Sequence, residues 1–264
     1  MRDLRVVLVQ GDTVWHDAPA NREYYGSLAR PLRGRVDLVV LPETFTSGFS
    51  NEAVRNAETM QGASVAWLLE LAREIDAAVV GSIVVRDGES VFNRLLWASP
   101  QGLDGTYDKR HLFRMAGEHQ RYAAGRDRLV VEWRGWRICP LVCYDLRFPV
   151  FSRNTAGSDG RMDYDLLLYV ANWPQARRTA WRTLLRARAI ENLCYVVGVN
   201  RVGQDGNGID YAGDSAAIDF LGEPLRELDT SAEVALVTLH AEGLAAHRTR
   251  FPAWMDADRF ELAD

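Results

Sequence analysis

An apolar run ends at a cysteine: Trp136-Arg137-Ile138-Cys139-Pro140-Leu141-Val142-Cys143, followed at once by Tyr144-Asp145 and the exit Leu146-Arg147-Phe148-Pro149. The run reads as a buried strand, and a thiol at the C-terminal end of a strand projects where loops can build a site around it. Cys143 is therefore the candidate nucleophile. Such a cysteine must be a thiolate, or a base must take its proton as it attacks. Histidine is the usual base, yet His16, His111, His119, His240 and His247 all fall in loops or in the tail, and none ends a strand that presents it to Cys143. Glu43 does, closing the apolar run Asp37-Leu38-Val39-Val40-Leu41-Pro42. A partly desolvated carboxylate there is suited to shuttling a proton near neutral pH. Lys109, in Tyr107-Asp108-Lys109-Arg110-His111-Leu112-Phe113, would favour a thiolate and stabilise an oxyanion. Glu118, on the long connection that follows, is a second carboxylate able to orient Lys109 or a substrate.

Each of these residues also has a plain reading. Buried cysteines are common as small hydrophobes, which suits Cys139 and Cys194 well. Glu43 read alone is a turn residue after Pro42, Lys109 a solvated surface lysine and Glu118 a loop carboxylate. A metal site at Cys139-x-x-x-Cys143 fails because no matching Cys/His pair exists elsewhere. Gly203-Gln204-Asp205-Gly206-Asn207-Gly208 opens no helix and reads as a turn, not a phosphate loop.

The elements that must position these residues follow from periodicity. Buried strands are expected over 5–10, 37–41, 78–85 and 138–143, with further strands at 165–169, 195–198, 216–220 and 234–239. Residues 92–98 and 103–107 read as a hairpin around Pro100-Gln101-Gly102. Helical spacing appears over 65–75, with Ser64 as its N-cap, and over 180–192. The stretch before residue 32 can carry another helix, and the tail from 240 starts out amphipathic. Residues 108–128 form a long polar connection without a clear period. Pro140 inside a central strand calls for a bulge or a local edge. The second half repeats the plan of the first: 138–143 echoes 6–10, 165–169 echoes 37–41, and 195–198 echoes 78–81. Two such halves imply two mixed sheets face to face with helices outside, a four-layer α-β-β-α sandwich with internal pseudo-duplication. No linker or charge break separates them, so residues 1–264 read as one domain.

The totals narrow the function class. At 264 residues, 47% apolar and 25% charged, the chain has the composition of a soluble globular protein with a sizeable core. A net charge of -5 offers no basic surface, so nucleic acid and anionic membranes are poor partners. No signal peptide or spanning segment is legible. Three cysteines make a poor disulfide framework, which points to the cytoplasm.

Leu41-Pro42-Glu43, the segment 107–113 and Val142-Cys143-Tyr144-Asp145-Leu146-Arg147-Phe148-Pro149 occur in this order, and together they resemble the Glu–Lys–Cys signature of the nitrilase, or carbon–nitrogen hydrolase, superfamily. The resemblance extends over essentially the whole chain, including Ala171-Asn172-Trp173-Pro174 and Arg186-Ala187-Arg188-Ala189-Ile190-Glu191-Asn192. It implies that Glu43 is the general base, Lys109 the oxyanion stabiliser, Cys143 the nucleophile and Glu118 the supporting glutamate. It also implies the α-β-β-α sandwich in a homodimer or larger homo-oligomer. The segments 147–154, 170–174 and 251–258 are most similar to the bacterial ω-amidase branch, although Val150 stands where many members of the superfamily carry a carboxylate. That branch implies release of ammonia from the terminal amide of 2-oxoglutaramate or 2-oxosuccinamate through a thioester, with water as co-substrate and no metal or cofactor.

In this reading Lys109 and the backbone N–H of Tyr144 hold the oxyanion. A substrate with a far carboxylate needs a cationic clamp, for which Arg147 and Arg177 are candidates. An ion pair with a loop carboxylate is an equally good use of Arg147. Phe113, Phe148 and Trp173 can wall the pocket or belong to the core. Residues 155–162 read as a surface loop apart from the site, and the aromatic tail from about residue 240 as a segment docked on a partner subunit. The rival readings are a nitrilase, an N-carbamoyl or general aliphatic amide hydrolase with the same three residues, and a catalytically silent binding subunit.

Overall fold

The chain was analysed as a computed structural model that describes residues 1–157, 159–258 and 260–262. Strand β1 (Leu4–Gln10), helix α1 (Ala18–Ala29), β2 (Leu38–Val40), helix α2 (Ala63–Ile75), β3 (Ala78–Asp87), β4 (Ser90–Ser99) and β5 (Gly102–Asp108) form the first half. The second comprises β6 (Val131–Trp133), β7 (Trp136–Val142), β8 (Leu166–Ala171), α3 (Arg178–Asn192), β9 (Tyr195–Asn200), β10 (Val202–Gln204), β11 (Asp210–Ala212), β12 (Ala216–Ile218) and β13 (Pro224–Glu227). Strand β14 (Glu233–Leu239) and helix α4 (Ala241–Arg250) follow.

Two six-stranded mixed sheets result, ordered β14-β1-β2-β3-β4-β5 and β13-β12-β9-β8-β7-β6, with β10 and β11 as a separate hairpin. In the first, β1, β2 and β3 run parallel and β4 antiparallel. In the second, β7, β8 and β9 run parallel and β12 antiparallel. The halves thus share one plan. Both crossover helices even end alike, on a left-handed residue, Asp76 after α2 and Leu193 after α3.

Strand alternation explains the layers. Val6 and Leu8 join a cluster shared with Ile138, Leu166, Leu168 and Val197 of the other sheet, which is the interior between the sheets. Val7 and Val9 face the opposite way, against Tyr25, Leu68, Leu71 and Ile75 of α1 and α2. Trp181, Leu185 and Ala189 carry α3 onto the outer face of the second sheet. Both faces of the parallel strands are therefore covered, which is why those strands read as unbroken apolar runs.

Several local readings differ from expectation. Ser64 is not the N-cap: α2 begins at Ala63 behind Gly62. Instead Glu58 accepts from the Ser64 N–H at 2.8 Å and from its hydroxyl, so a carboxylate six residues upstream serves the helix start. Strands β3 and β4 extend to a tight turn at Asp87 and Ser90, beyond the expected 85 and 92. Pro140 pairs in register with Leu168, without a bulge, but β6 stops opposite Ile138. The proline therefore sits at a local edge, where its missing N–H costs little. No helix among the described residues is long and apolar enough to cross a membrane.

Candidate active site

The candidate residues meet because parallel strands deliver their C-terminal ends to one side. Glu43 follows β2, Cys143 follows β7 and Lys109 follows β5. Glu43 and Glu118 are 0% exposed, Lys109 1% and Cys143 9%. Of the four, Cys143 is the most exposed.

Lys109 Nζ donates to Glu43 Oε1 at 3.0 Å and to both oxygens of Glu118 at 3.0 Å. Its ammonium also sits 5.1 Å from the centre of the Phe49 ring. Burial alone would lower the lysine pKa, but the charges of Glu118 and Glu43 outweigh it and hold the group well above its ordinary value. Lys109 is thus a fixed cation. For Glu118 burial dominates and raises the carboxyl above its ordinary value despite Lys109, and its Oε2 accepts from the Phe113 N–H at 2.6 Å. Glu43 is pinned from a third direction: Asn93 Nδ2 donates to Oε1 at 2.8 Å and the Asn172 N–H to Oε2 at 2.7 Å.

Cys143 opens a short 3-10 turn that runs to Arg147, with φ at +45°. A non-glycine residue adopts that left-handed conformation only when its surroundings impose it. The strand-to-turn corner thereby lifts the thiol into the cavity. Burial raises the Cys143 thiol well above its ordinary value, and the charge of Glu43 and a hydrogen bond to it push the same way. These effects favour the neutral thiol, which faces the Glu43 side chain. Cys139 is buried and raised to about 12 by desolvation, as expected of an inert core thiol.

The cavity has a volume of about 240 Å³, below the roughly 300–1,000 Å³ of sites for drug-sized ligands. Cys143, Lys109 and Glu43 form its floor, and Phe49, Phe113, Trp173 and Tyr211 contribute aromatic walls. Arg147 and Arg177 also line it. The Arg147 guanidinium lies 5.1 Å above the Trp173 ring and that of Arg177 5.1 Å above the Phe113 ring. Among the described residues neither is in an ion pair, so the loop-carboxylate alternative for Arg147 does not hold. Phe148 does not line the cavity; it stacks on His111 with ring centres 3.8 Å apart. Residues 155–162 contribute nothing to the lining, and Ser158 within them lies outside the described residues.

Sequence reasoning missed Asn93, Asn172 and the wall residues Phe49, Met115, Ile209 and Tyr211. Asn172 carried a usable signal, since it follows β8 as Cys143 follows β7 and Glu43 follows β2. Asn93 lies inside β4 and has no local signal at all. Tyr211 arrives on the β10–β11 hairpin, its hydroxyl donating to Asp205 at 2.9 Å.

Comparisons with known proteins place the chain in a family. The chain is 49% identical over 263 residues to the omega-amidase YafV of Yersinia enterocolitica, covering 99% of this chain and 100% of that protein. It is 32% identical over 225 residues to the 2-oxoglutaramate amidase of Bacillus subtilis strain 168, covering 83% and 84% respectively. The crystal structure of XC1258 from Xanthomonas campestris, a CN-hydrolase superfamily protein with an arsenic adduct in its active site, superimposes with a TM-score of 0.98 at 60% identity over 100% of both chains. With the carbon–nitrogen hydrolase family model matching residues 5–249 as well, the chain belongs to the carbon–nitrogen hydrolase family.

Proposed function

We propose that this hydrolase releases ammonia from the terminal amide of small 2-oxo dicarboxylic acid monoamides, 2-oxoglutaramate and 2-oxosuccinamate. The observation that carries the reading is the pair of guanidiniums, Arg147 and Arg177, on the walls of a small cavity floored by Cys143, with no carboxylate of the protein in an ion pair with either among the described residues. A substrate carboxylate supplies the missing counter-charge. The similarity to the omega-amidase YafV and to a 2-oxoglutaramate amidase supports the same substrate class.

In this mechanism Glu43 takes the thiol proton as Cys143 attacks the amide carbon. Lys109 and the Tyr144 N–H hold the oxyanion, each donor contributing a few kcal/mol (about 3). Glu43 then gives its proton to departing ammonia, and a thioester remains on Cys143. Water, deprotonated by Glu43, attacks the thioester; the C–S bond breaks, Glu43 returns the proton to the departing Cys143 sulfur, and the acid is freed. Glu118 keeps Lys109 in place, and Phe113 and Trp173 exclude bulk water. The reaction needs no metal or cofactor.

The proposal includes a single domain over residues 1–264, a cytoplasmic setting supported by three buried free cysteines, and a homo-oligomer. Phe251 and Met255 in the tail are 56% and 67% exposed, which supports docking of that segment on a second copy. The deciding experiment is ammonia release across a panel of 2-oxoglutaramate, 2-oxosuccinamate, simple aliphatic amides, nitriles and N-carbamoyl compounds. The 2-oxo amides should give the highest kcat/KM, and preference for a nitrile or an uncharged amide would overturn the substrate assignment. If iodoacetamide alkylates Cys143 no faster than Cys139 or Cys194, the silent-subunit reading gains instead.

A further inference from the structure

One buried carboxylate near the nucleophile has no part in the proton transfers. Asp145 is fully buried, two residues after Cys143, and no lysine or arginine pairs with it among the described residues. Hydrogen bonds satisfy both of its oxygens. Oδ2 accepts from the Tyr107 hydroxyl at 2.7 Å and from the Val142 N–H at 3.0 Å. Oδ1 accepts from the His111 N–H at 3.0 Å and lies 2.7 Å from His111 Nδ1. The Tyr107 hydroxyl in turn accepts from the Arg110 N–H at 3.1 Å.

These partners have a pattern. Tyr107, Arg110 and His111 bracket Lys109 in sequence, and Val142 immediately precedes Cys143. One carboxylate therefore binds both the segment that carries the cation and the strand end that carries the nucleophile. Cys143 needs such support, because its φ of +45° is a conformation that surroundings must enforce. The imidazole of His111 is itself fixed, stacked on Phe148 at 3.8 Å and meeting Phe151 edge-on at 5.3 Å. Burying a carboxylate away from any cation is expensive unless every oxygen is satisfied, and an apolar residue would pack there more cheaply. The arrangement is explained if the carboxylate sets geometry.

We infer that Asp145, clamped by His111, is a positioning residue that fixes Cys143 relative to Lys109 for attack and oxyanion binding. The inference rests on the proposed roles of Cys143 and Lys109, not on the identity of the substrate. A displacement of about 1 Å between reacting groups costs on the order of 10²-fold in rate.

The test uses the full chain and whichever amide the wild-type enzyme turns over fastest, so a wrong substrate class leaves the outcome readable. His111→Asn keeps a side-chain N–H close to the place of Nδ1, whereas His111→Ala removes it. His111→Ala should lower kcat at least tenfold with KM within about threefold, and His111→Asn should restore kcat to within about threefold of wild type. Asp145→Asn should lower kcat on the order of 10²-fold, because its amide turns a donor toward existing donors. The rate of Cys143 alkylation by iodoacetamide, read in the same variants, should change with kcat. The inference is overturned if His111→Ala and His111→Asn behave alike, whether both active or both impaired, or if folded Asp145→Asn keeps kcat within threefold. Should Asp145→Asn fail to fold, the His111 pair decides. Wild-type inactivity toward every 2-oxo amide would instead refute the substrate assignment alone.

Discussion

Replacing Glu43 with Gln separates the base from the shape of the site. The side chain keeps its volume but loses its charge and one acceptor. Glu43 Oε1 receives Asn93 Nδ2 at 2.8 Å and the charged Lys109 Nζ at 3.0 Å, while Oε2 receives the Asn172 N–H at 2.7 Å and a longer contact from Asn172 Nδ2 at 3.4 Å. The glutamine oxygen therefore takes the Oε1 place, and its NH₂ faces the Asn172 N–H. One buried donor left unpaired costs about 1–3 kcal/mol. At about 2–4 °C per kcal/mol for a chain near this size, Tm should fall by roughly 2–12 °C. Turnover should fall much further, by on the order of 10²–10⁴-fold in kcat, because no other group takes the thiol proton. The thiol itself should respond in the opposite sense. Burial and the charge of Glu43 both raise Cys143, so removing that charge lets it ionise at lower pH. Ammonia release and the pH dependence of iodoacetamide alkylation, measured on the same protein, read the two effects. Lost turnover with an alkylation midpoint shifted to lower pH is expected. A kcat within tenfold of wild type, or a midpoint shifted to higher pH, refutes the reasoning.

Lys109→Met leaves Glu43 and Glu118 buried without their shared cation, so it should cost about 3–5 kcal/mol in thermal or denaturant unfolding and remove activity. Arg147→Gln and Arg177→Gln should each raise KM for 2-oxoglutaramate about 10–150-fold if the lost contact is a charge-assisted hydrogen bond, with little change for an uncharged amide; equal effects on both substrates would count against a clamp. Asp165 supplies a pH prediction. Burial would raise its carboxyl, but the hydrogen bonds from Arg137 and the charge of Arg248 bring it below its ordinary value. Its stabilisation is therefore full above the unfolded value of about 3.9 and is lost as pH falls through the lower folded value. Arg248→Gln brings the two values closer, so the variant should lose less Tm between neutral pH and about pH 3 than wild type.

What was legible in the sequence follows from locality. Cys143 and Glu43 stand at the ends of apolar runs, and a strand end is visible without knowing what lies across from it. The duplicated plan was visible for the same reason, since each half writes its own strand–helix–strand pattern. Lys109 and Glu118 were assigned through family resemblance, because nothing in a polar connection between residues 108 and 128 tells a buried lysine from a solvated one. Asn93 was invisible: its partner Glu43 lies 50 residues away, on the far side of β3 in the sheet. Ser64 was misread because a capping rule based on nearest neighbours does not see Glu58 reaching back to the helix start. Phe148 could be read from the sequence either as cavity wall or as core, and only the fold decides: its ring packs on His111. The small hairpin that delivers Ile209 and Tyr211 read only as a turn, and its place beside the cavity depends on the whole sandwich having formed.

The central claim is that Cys143 carries the acyl group between two proton transfers by Glu43. Mixing the enzyme with 2-oxoglutaramate, quenching in acid during turnover and mapping the digest by mass spectrometry tests it most directly. The expected result is the substrate's acyl group on the peptide containing Cys143, with no such adduct and no ammonia release from folded Cys143→Ala. An adduct on another residue, or ammonia release by Cys143→Ala, would contradict it.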